Sequence, residues 1–172
     1  PRAAQRRQDL PRRRPRGQRA EEESGGDGEA DREGEHRQVQ GDFLRSLGID
    51  RAPGSQLISL FAYENAGLAS WLDCLASDST PSHMLVPEGR ILGDVERWLG
   101  VAGLAAGDVH VRDALTVQVL PFVRQDQYDL LLWSCDFNAV RGEDSFVRAQ
   151  WAGRPLLWHI YQQDEDIHLD KL

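Results

Sequence analysis

The segment Arg141-Gly142-Glu143-Asp144-Ser145 combines residue types that can bind a phosphate group. Gly142 permits a tight turn from strand to helix, Asp144 or Ser145 can cap the helix, and Arg141 can add a charge-assisted contact. The N–H groups of the first helical turn would then hold the phosphate. Because Glu143 and Asp144 would repel an anion, we expect their carboxylates to cap the backbone or to meet sugar hydroxyls and cations. An ordinary capped helix with a surface arginine is the alternative interpretation.

Aromatic residues follow two other apolar runs of the chain. Phe61 and Tyr63 come at the end of one run, and Phe122 comes just after the run that ends at Leu120. Three rings at one edge of a sheet could sandwich a flat base, although a single aromatic residue more often belongs to the core. Gln125 offers both a hydrogen-bond acceptor and donors, which suits the edge of a pyrimidine.

All of these residues lie at or shortly after the ends of predicted strands. The predicted strands are residues 57–61, 84–86, 115–120, 135–140 and 155–160, and the predicted helices are residues 66–76, 91–99, 126–133 and 144–151. Strands that alternate with helices predict a doubly wound, Rossmann-like α/β fold whose parallel strands are joined by right-handed crossovers. Ligands of such a sheet bind beyond the carboxyl ends of the strands, where the candidate residues gather.

The first 40 residues differ in composition from the rest of the chain. Residues 1–20 hold eight arginines and one acid, and residues 21–35 hold eight acids and one arginine. Such a segment buries too little apolar area to offset its ordering entropy. We therefore predict a disordered, charge-segregated arm over residues 1–40 and one domain over residues 41–172. The arm could be a solvated linker, a basic RNA-binding segment with an acidic mask, or the product of a shifted reading frame.

The bulk composition argues against several classes of protein. The formal net charge is −8, so the chain as a whole gains little from nucleic-acid phosphates, whereas an acidic surface is compatible with a basic protein partner. No apolar stretch is long enough for a membrane span, and the N-terminus has no apolar signal core. We expect a cytoplasmic protein. Cys74 and Cys135 both lie in apolar runs, which predicts two reduced core thiols.

Other possible chemistry receives less support from the sequence. We expect His159 to be a structural histidine, and Asp164-Glu165-Asp166 to be a solvated acidic turn, not a metal-binding motif. No histidine has partners at metal-ligand spacing, so no metal site is predicted. A glycine-rich dinucleotide motif, a P-loop and a Gly-x-Ser-x-Gly elbow are all missing from the sequence.

Over residues 41–172 the chain resembles the elongation factor P arginine rhamnosyltransferase family. The most specific stretch runs from Tyr128-Asp129 through Arg141-Gly142-Glu143-Asp144-Ser145-Phe146-Val147-Arg148-Ala149-Gln150-Trp151 to Trp158-His159-Ile160-Tyr161. The shorter runs are Leu60-Phe61-Ala62-Tyr63-Glu64-Asn65, Leu85-Val86-Pro87-Glu88-Gly89-Arg90 and Leu120-Pro121-Phe122.

The resemblance implies a glycosyltransferase that transfers L-rhamnose from dTDP-β-L-rhamnose to an arginine of translation elongation factor P with inversion. It implies the C-terminal, donor-binding half of a two-domain GT-B fold, and it implies no metal or other cofactor. Glu143 matches a residue needed for catalysis, and Arg141 to Ser145 match the loop for the diphosphate and the sugar. The positions that match the surroundings of the nucleotide are Phe61, Tyr63, Phe122 and Gln125.

The chain also departs from the pattern of this family. The family carries a catalytic aspartate on a Gly-rich loop of its N-terminal domain, and residues 1–40 contain nothing similar. We therefore expect this chain to bind the donor weakly and to turn over little by itself. The alternatives are a non-catalytic module that binds a nucleotide sugar or RNA, and a GT-B transferase with another sugar or acceptor.

Overall fold

The structure is a computed structural model that describes the backbone of residues 26–160 and the side chains of residues 34–160. Its helices are α1 (Gly26–Ser46), α2 (Leu68–Ala76), α3 (Leu92–Leu99), α4 (Gln125–Ser134) and α5 (Gly142–Ala152). Its strands are β1 (Gln56–Leu60), β2 (Ser82–Pro87), β3 (Val109–Arg112), β4 (Leu115–Leu120), β5 (Phe137–Arg141) and β6 (Leu156–His159). The chain divides into residues 1–36 and residues 37–172, and every described strand lies in the second unit.

The strands form one six-stranded sheet in the order β3-β4-β2-β1-β5-β6. All neighbouring pairs are parallel except β3 and β4, which are antiparallel. Without β3, the parallel strands follow the order 3-2-1-4-5 of a Rossmann fold, whose switch point lies between its first and fourth strands. In this chain the switch point lies between β1 and β5. The predicted Rossmann-like α/β fold is thus confirmed, with one antiparallel edge strand in place of a purely parallel sheet.

Each face of the sheet is covered by a separate hydrophobic core. Leu57 of β1 packs on one side with residues of α1, α4 and α5, and its neighbour Ile58 packs on the other side with residues of α2 and α3. Adjacent strand residues point to opposite faces, so both faces must be covered. Leu131 of α4 and Leu72 of α2 are fully buried, and each such side chain contributes about 1.5–3 kcal/mol to stability. Helices on both faces make the fold doubly wound.

Helix α1 spans the predicted boundary between the arm and the domain. It begins at Gly26, so its first part falls in the segment that composition predicted to be disordered, and the predicted boundary at residues 40 and 41 falls inside it. Glu, Arg and Gln favour helices in spite of their polarity, and Phe43 and Leu44 are buried in the core beside α4 and α5. Residues 1–25 lie outside the described residues, as do Tyr161 and the acidic run at residues 164–166.

Only one of the two cysteines occupies the core. Cys135 is buried, whereas Cys74 is exposed, and both are free thiols. Cys74 lies two positions after the buried Leu72 on α2, which turns it to the opposite side of the helix. The prediction of a core thiol was therefore wrong for Cys74. None of the helices between residues 26 and 160 is long and apolar enough to cross a membrane.

Candidate functional site

The carboxyl ends of β1, β5 and β6 bring three candidate side chains to one edge of the sheet. The hydrogen bonding between β1 and β5 extends one residue beyond β1, because the Phe61 N–H donates to the Ala139 carbonyl at 2.9 Å. Two residues later, the Tyr63 N–H donates to Nδ1 of His159 at 3.2 Å. Arg141 ends β5 and pairs in register with His159 of β6. This edge is the switch point at which ligands of doubly wound sheets bind.

Arg141 lies between two aromatic rings at this edge. Its guanidinium carbon is 4.4 Å from the centre of the Phe61 ring and 4.7 Å from the centre of the Tyr63 ring. Both distances are within the range of cation–π attraction, which holds the guanidinium in place. Its Nη1 atom is buried, and no described residue accepts a hydrogen bond from it. Because an unsatisfied buried donor costs about 1–3 kcal/mol, Arg141 is suited to bind an anion.

An apolar pocket of about 260 Å³ lies next to Arg141. Four of its lining residues are sequence-predicted site residues: Phe61, Phe122, Gln125 and Ser145. The others are Pro87, Val123 and Tyr128. Phe122 is 76% exposed, so its ring is available for stacking on a ligand and contributes little to the core. We call this cavity the apolar pocket. Its lining comes from the ends of β1 and β2, the segment after β4, two residues of α4 and one residue of α5.

Tyr128 belongs to the apolar pocket although sequence reasoning did not single it out. Its ring meets the Phe61 ring edge to face, with the ring centres 5.6 Å apart. Burial raises the pKa of Tyr128 to about 12, and the nearby Ser145 hydroxyl opposes this shift. The sequence could have indicated this, because Tyr128 lies three residues after Gln125 on α4 and residues at that spacing share a helix face.

A second cavity of about 410 Å³ is lined in part by Tyr63. We call it the polar cavity, and its lining consists of Tyr63, Glu64, Asn65, Ala66, Arg90, His159 and Ile160. Tyr63 is thus beside the apolar pocket and not in it. Burial lowers the pKa of His159, and the positive charge of Arg141 lowers it further. The ring also accepts the Tyr63 N–H, which agrees with the structural role expected for His159.

The start of α5 differs from the prediction in its capping. The helix begins at Gly142, whose φ is +68°, so Asp144 and Ser145 lie inside the first turn and neither caps the helix. Arg141 occupies the N-cap position, and no side chain makes a cap hydrogen bond there. The predicted caps were therefore wrong. Asp144 accepts hydrogen bonds from Nε of Arg148 at 2.9 Å and from Nε2 of Gln125 at 3.3 Å instead.

The structure thus gathers most of the predicted residues around the switch point. Gly142 lies beside Tyr63, because a Cβ added to it would be 3.8 Å from the Tyr63 hydroxyl. Glu143 is an exposed residue of the first turn of α5. The roles of all these residues in binding or catalysis stay predictions. Among residues whose side chains are described, no group of His, Cys, Asp and Glu could hold a metal ion.

The fold and this candidate site together define a Rossmann-like α/β domain with an apolar pocket at the carboxyl ends of its strands. Residues 21–172 match the sequence model of the family described as Elongation-Factor P (EF-P) rhamnosyltransferase EarP. The chain belongs to this family, as its sequence motifs indicated.

Individual relatives agree with the family match. A protein-arginine rhamnosyltransferase of Pseudomonas aeruginosa is 69% identical over 134 residues, which cover 78% of this chain and 36% of the relative. One of Shewanella oneidensis is 41% identical over 136 residues, or 76% of this chain and 34% of the relative. One solved structure concerns the structural basis for EarP-mediated arginine glycosylation of translation elongation factor EF-P. It matches this chain with a TM-score of 0.74 and 57% sequence identity, and the match covers 85% of this chain and 49% of that one. The chain spans about a third of the length of these curated relatives.

Proposed function

We propose that this chain is the donor-binding part of a protein-arginine rhamnosyltransferase of GT-B architecture. The reaction transfers L-rhamnose from dTDP-β-L-rhamnose to an arginine side chain of translation elongation factor P, with inversion at the anomeric carbon. Membership in the EarP family and the names of the relatives support this proposal. The structural observation that carries it is Arg141, which contacts Phe61 of the apolar pocket, immediately precedes the uncapped α5 and has one buried N–H group unpaired among the described residues. Since translation takes place in the cytoplasm, we assign the reaction to that compartment.

The apolar pocket suits the base of a pyrimidine nucleotide. Phe61 and the exposed Phe122 offer ring faces, each worth about 0.5–1.5 kcal/mol in stacking, and the Gln125 amide can pair with the polar edge of the base. The pocket is smaller than most sites for a whole drug-sized ligand. A base fits within it, and the rest of the nucleotide would extend along the surface toward Arg141.

The diphosphate would then lie at the start of α5. The N–H groups of the first turn carry the positive end of the helix dipole, and Arg141 adds a full positive charge. Both stabilise the charge that develops on dTDP as it leaves, so the mechanism requires no metal ion. Donors held in place by the fold are most effective in this role, because they need not reorganise during the reaction.

The acceptor requires help because a guanidinium is protonated at neutral pH, with a pKa above about 12. A carboxylate must orient it and accept a proton as its nitrogen attacks the anomeric carbon. A nitrogen–carbon bond forms on one face of the sugar while the bond to the dTDP oxygen breaks on the other, which inverts the centre. Glu143, exposed at the first turn of α5, could hold the guanidinium or the sugar. By resemblance, the base itself belongs to the family's other domain.

Titration calorimetry on this chain tests the donor specificity. We expect dTDP-rhamnose and dTDP to bind, and UDP-sugars to bind more weakly or not at all. Equal binding of UDP-sugars would favour a transferase with another donor, and no binding of any nucleotide would refute the proposal.

Mass analysis of purified elongation factor P after incubation with this chain and dTDP-rhamnose tests turnover. We expect little or none, and measurable transfer would overturn that expectation.

Substitution of Glu143 tests its assigned role. In a full-length relative that carries the same loop, Glu143→Gln should preserve nucleotide affinity, because it leaves Arg141 and the helix start intact, and should depress turnover. Equal losses of affinity and turnover would show that Glu143 is only structural.

A further inference from the structure

Arg148 is the centre of a charged network beside the site. Its Nη1 lies 2.8 Å from both carboxylate oxygens of Asp129 on α4, and its Nε lies 2.9 Å from Oδ2 of Asp144 on its own helix. Only 18% of the Arg148 side chain is exposed. The contacts with the two carboxylates raise the pKa of its guanidinium. Arg148 lines neither cavity, so any effect on the ligand must act through other residues.

The network controls where the Asp144 carboxylate lies. An acid in the first turn of a helix is attracted to the positive helix end, and there it would compete with an anionic ligand. In this structure Arg148, one turn further along α5, binds Asp144, and Gln125 donates to the same oxygen at 3.3 Å. The negative charge of Asp144 is therefore paired, and Gln125 is oriented by the same carboxylate.

We propose that Arg148 is a positioning residue for the nucleotide site. It holds Asp144 away from the start of α5, which leaves the helix N-terminus open to the diphosphate, and it orients Gln125 through Asp144. Asp129 is the anchor that fixes Arg148 between α4 and α5. This inference rests on the proposed function, because it requires that a nucleoside diphosphate binds at this edge.

The test compares binding of dTDP and of thymidine to the chain and to Arg148→Met. Loss of the positioning charge should weaken dTDP binding about fivefold to tenfold, as expected for one unpaired charge at a helix terminus. Thymidine, which has no phosphate, should lose less than about twofold. The double variant Arg148→Met, Asp144→Asn should recover most of the dTDP affinity, since the carboxylate that Arg148 neutralised is then gone. A merely structural role predicts equal losses for both ligands and no recovery.

Two further variants keep the test decisive. Arg51→Met is the matched control, because Arg51 likewise forms an ion pair with an aspartate, Asp136, at 2.6 Å, but at the amino ends of β1 and β5. It should lower the melting temperature and leave dTDP affinity unchanged. If Arg148→Met does not fold, Asp129→Asn should give a smaller loss of dTDP affinity in the same direction. If the unsubstituted chain binds dTDP and the folded variants bind it with the same affinity, this inference alone is overturned. No dTDP binding by the unsubstituted chain would overturn the proposed function as well.

Discussion

One arginine lies near the amino ends of the neighbouring strands β1 and β5, and another lies at the carboxyl end of β5. The two arginines differ in their hydrogen bonding. At the amino end, Arg51 donates to the Ser55 carbonyl and to Asp136, and Asp136 also accepts the Leu57 N–H at 2.8 Å. At the carboxyl end, Arg141 lies between aromatic rings, and its buried Nη1 has no acceptor among the described residues.

Because of this difference, we call the amino end the structural end of the sheet and the carboxyl end, which carries the candidate site, the functional end. Buried polar groups in native proteins are nearly always hydrogen-bonded, so an exception requires an explanation. An arginine just before the same pair of strands is satisfied within this fold, as Arg51 shows. We infer that the carboxyl end of β5 is shaped for a ligand, whereas the amino end is shaped for stability.

The largest expected effect comes from removing the arginine at the functional end. Arg141→Met should weaken dTDP binding about 10-fold to 150-fold, because a hydrogen bond to a charged group contributes about 1.5–3 kcal/mol. Titration calorimetry at fixed salt concentration measures this loss. A loss below about threefold would contradict the distinction between the two ends, particularly if Arg51→Met caused a similar one.

The next effect concerns the structural end. Asp136→Ala should lower the free energy of unfolding by about 1–2 kcal/mol, because the Leu57 N–H and the Arg51 guanidinium lose their acceptor. Urea denaturation measures this change. Nucleotide affinity should be the same as in the unsubstituted chain, and a clear loss of affinity would show that the two ends are not independent.

A smaller effect is expected at the rim of the apolar pocket. Phe122→Ala removes one stacking surface and should weaken dTDP binding about threefold to tenfold. Because Phe122 is mostly exposed, the melting temperature should hardly change. A lower melting temperature with unchanged affinity would assign Phe122 to the core.

The smallest effect concerns pH at the functional end. Burial lowers the pKa of His159 in the folded chain, so the unfolded chain binds the proton more readily. The contribution of His159 to stability is therefore complete above the unfolded pKa of about 6.5 and is lost as the pH falls below it. His159→Gln should flatten the fall in unfolding free energy between about pH 7 and pH 5. An unchanged slope would assign that fall to other groups, such as His83, whose pKa burial also lowers.

The sequence predicts the elements of this fold better than their arrangement. Apolar runs predicted five of the six strands, and β4 has the predicted bounds. Strand order was not predictable, because it depends on pairing between distant segments. β3 was missed because it is a short edge strand of alternating pattern, and its turn to β4 uses Asp113 at φ 51° without the glycine that usually marks such turns.

The site was predictable where its residues are contiguous in the chain. The strand-turn-helix pattern at residues 141–145 placed the start of α5 at the correct edge of the sheet. The contact between Arg148 and Asp129 joins residues 19 positions apart on different helices, so it depends on how α4 packs on α5. The capping error arose because α5 begins at Gly142, earlier than the periodic apolar pattern indicated.

The most direct test of the central claim is a nuclear magnetic resonance titration of the labelled chain with dTDP. We expect the amide shifts to concentrate at Phe61 to Tyr63, Phe122 to Gln125 and Gly142 to Ser145, and those of Ser55 and Asp136 at the amino end to stay unchanged. Shifts centred on the amino end, or an absence of shifts at millimolar dTDP, would contradict it.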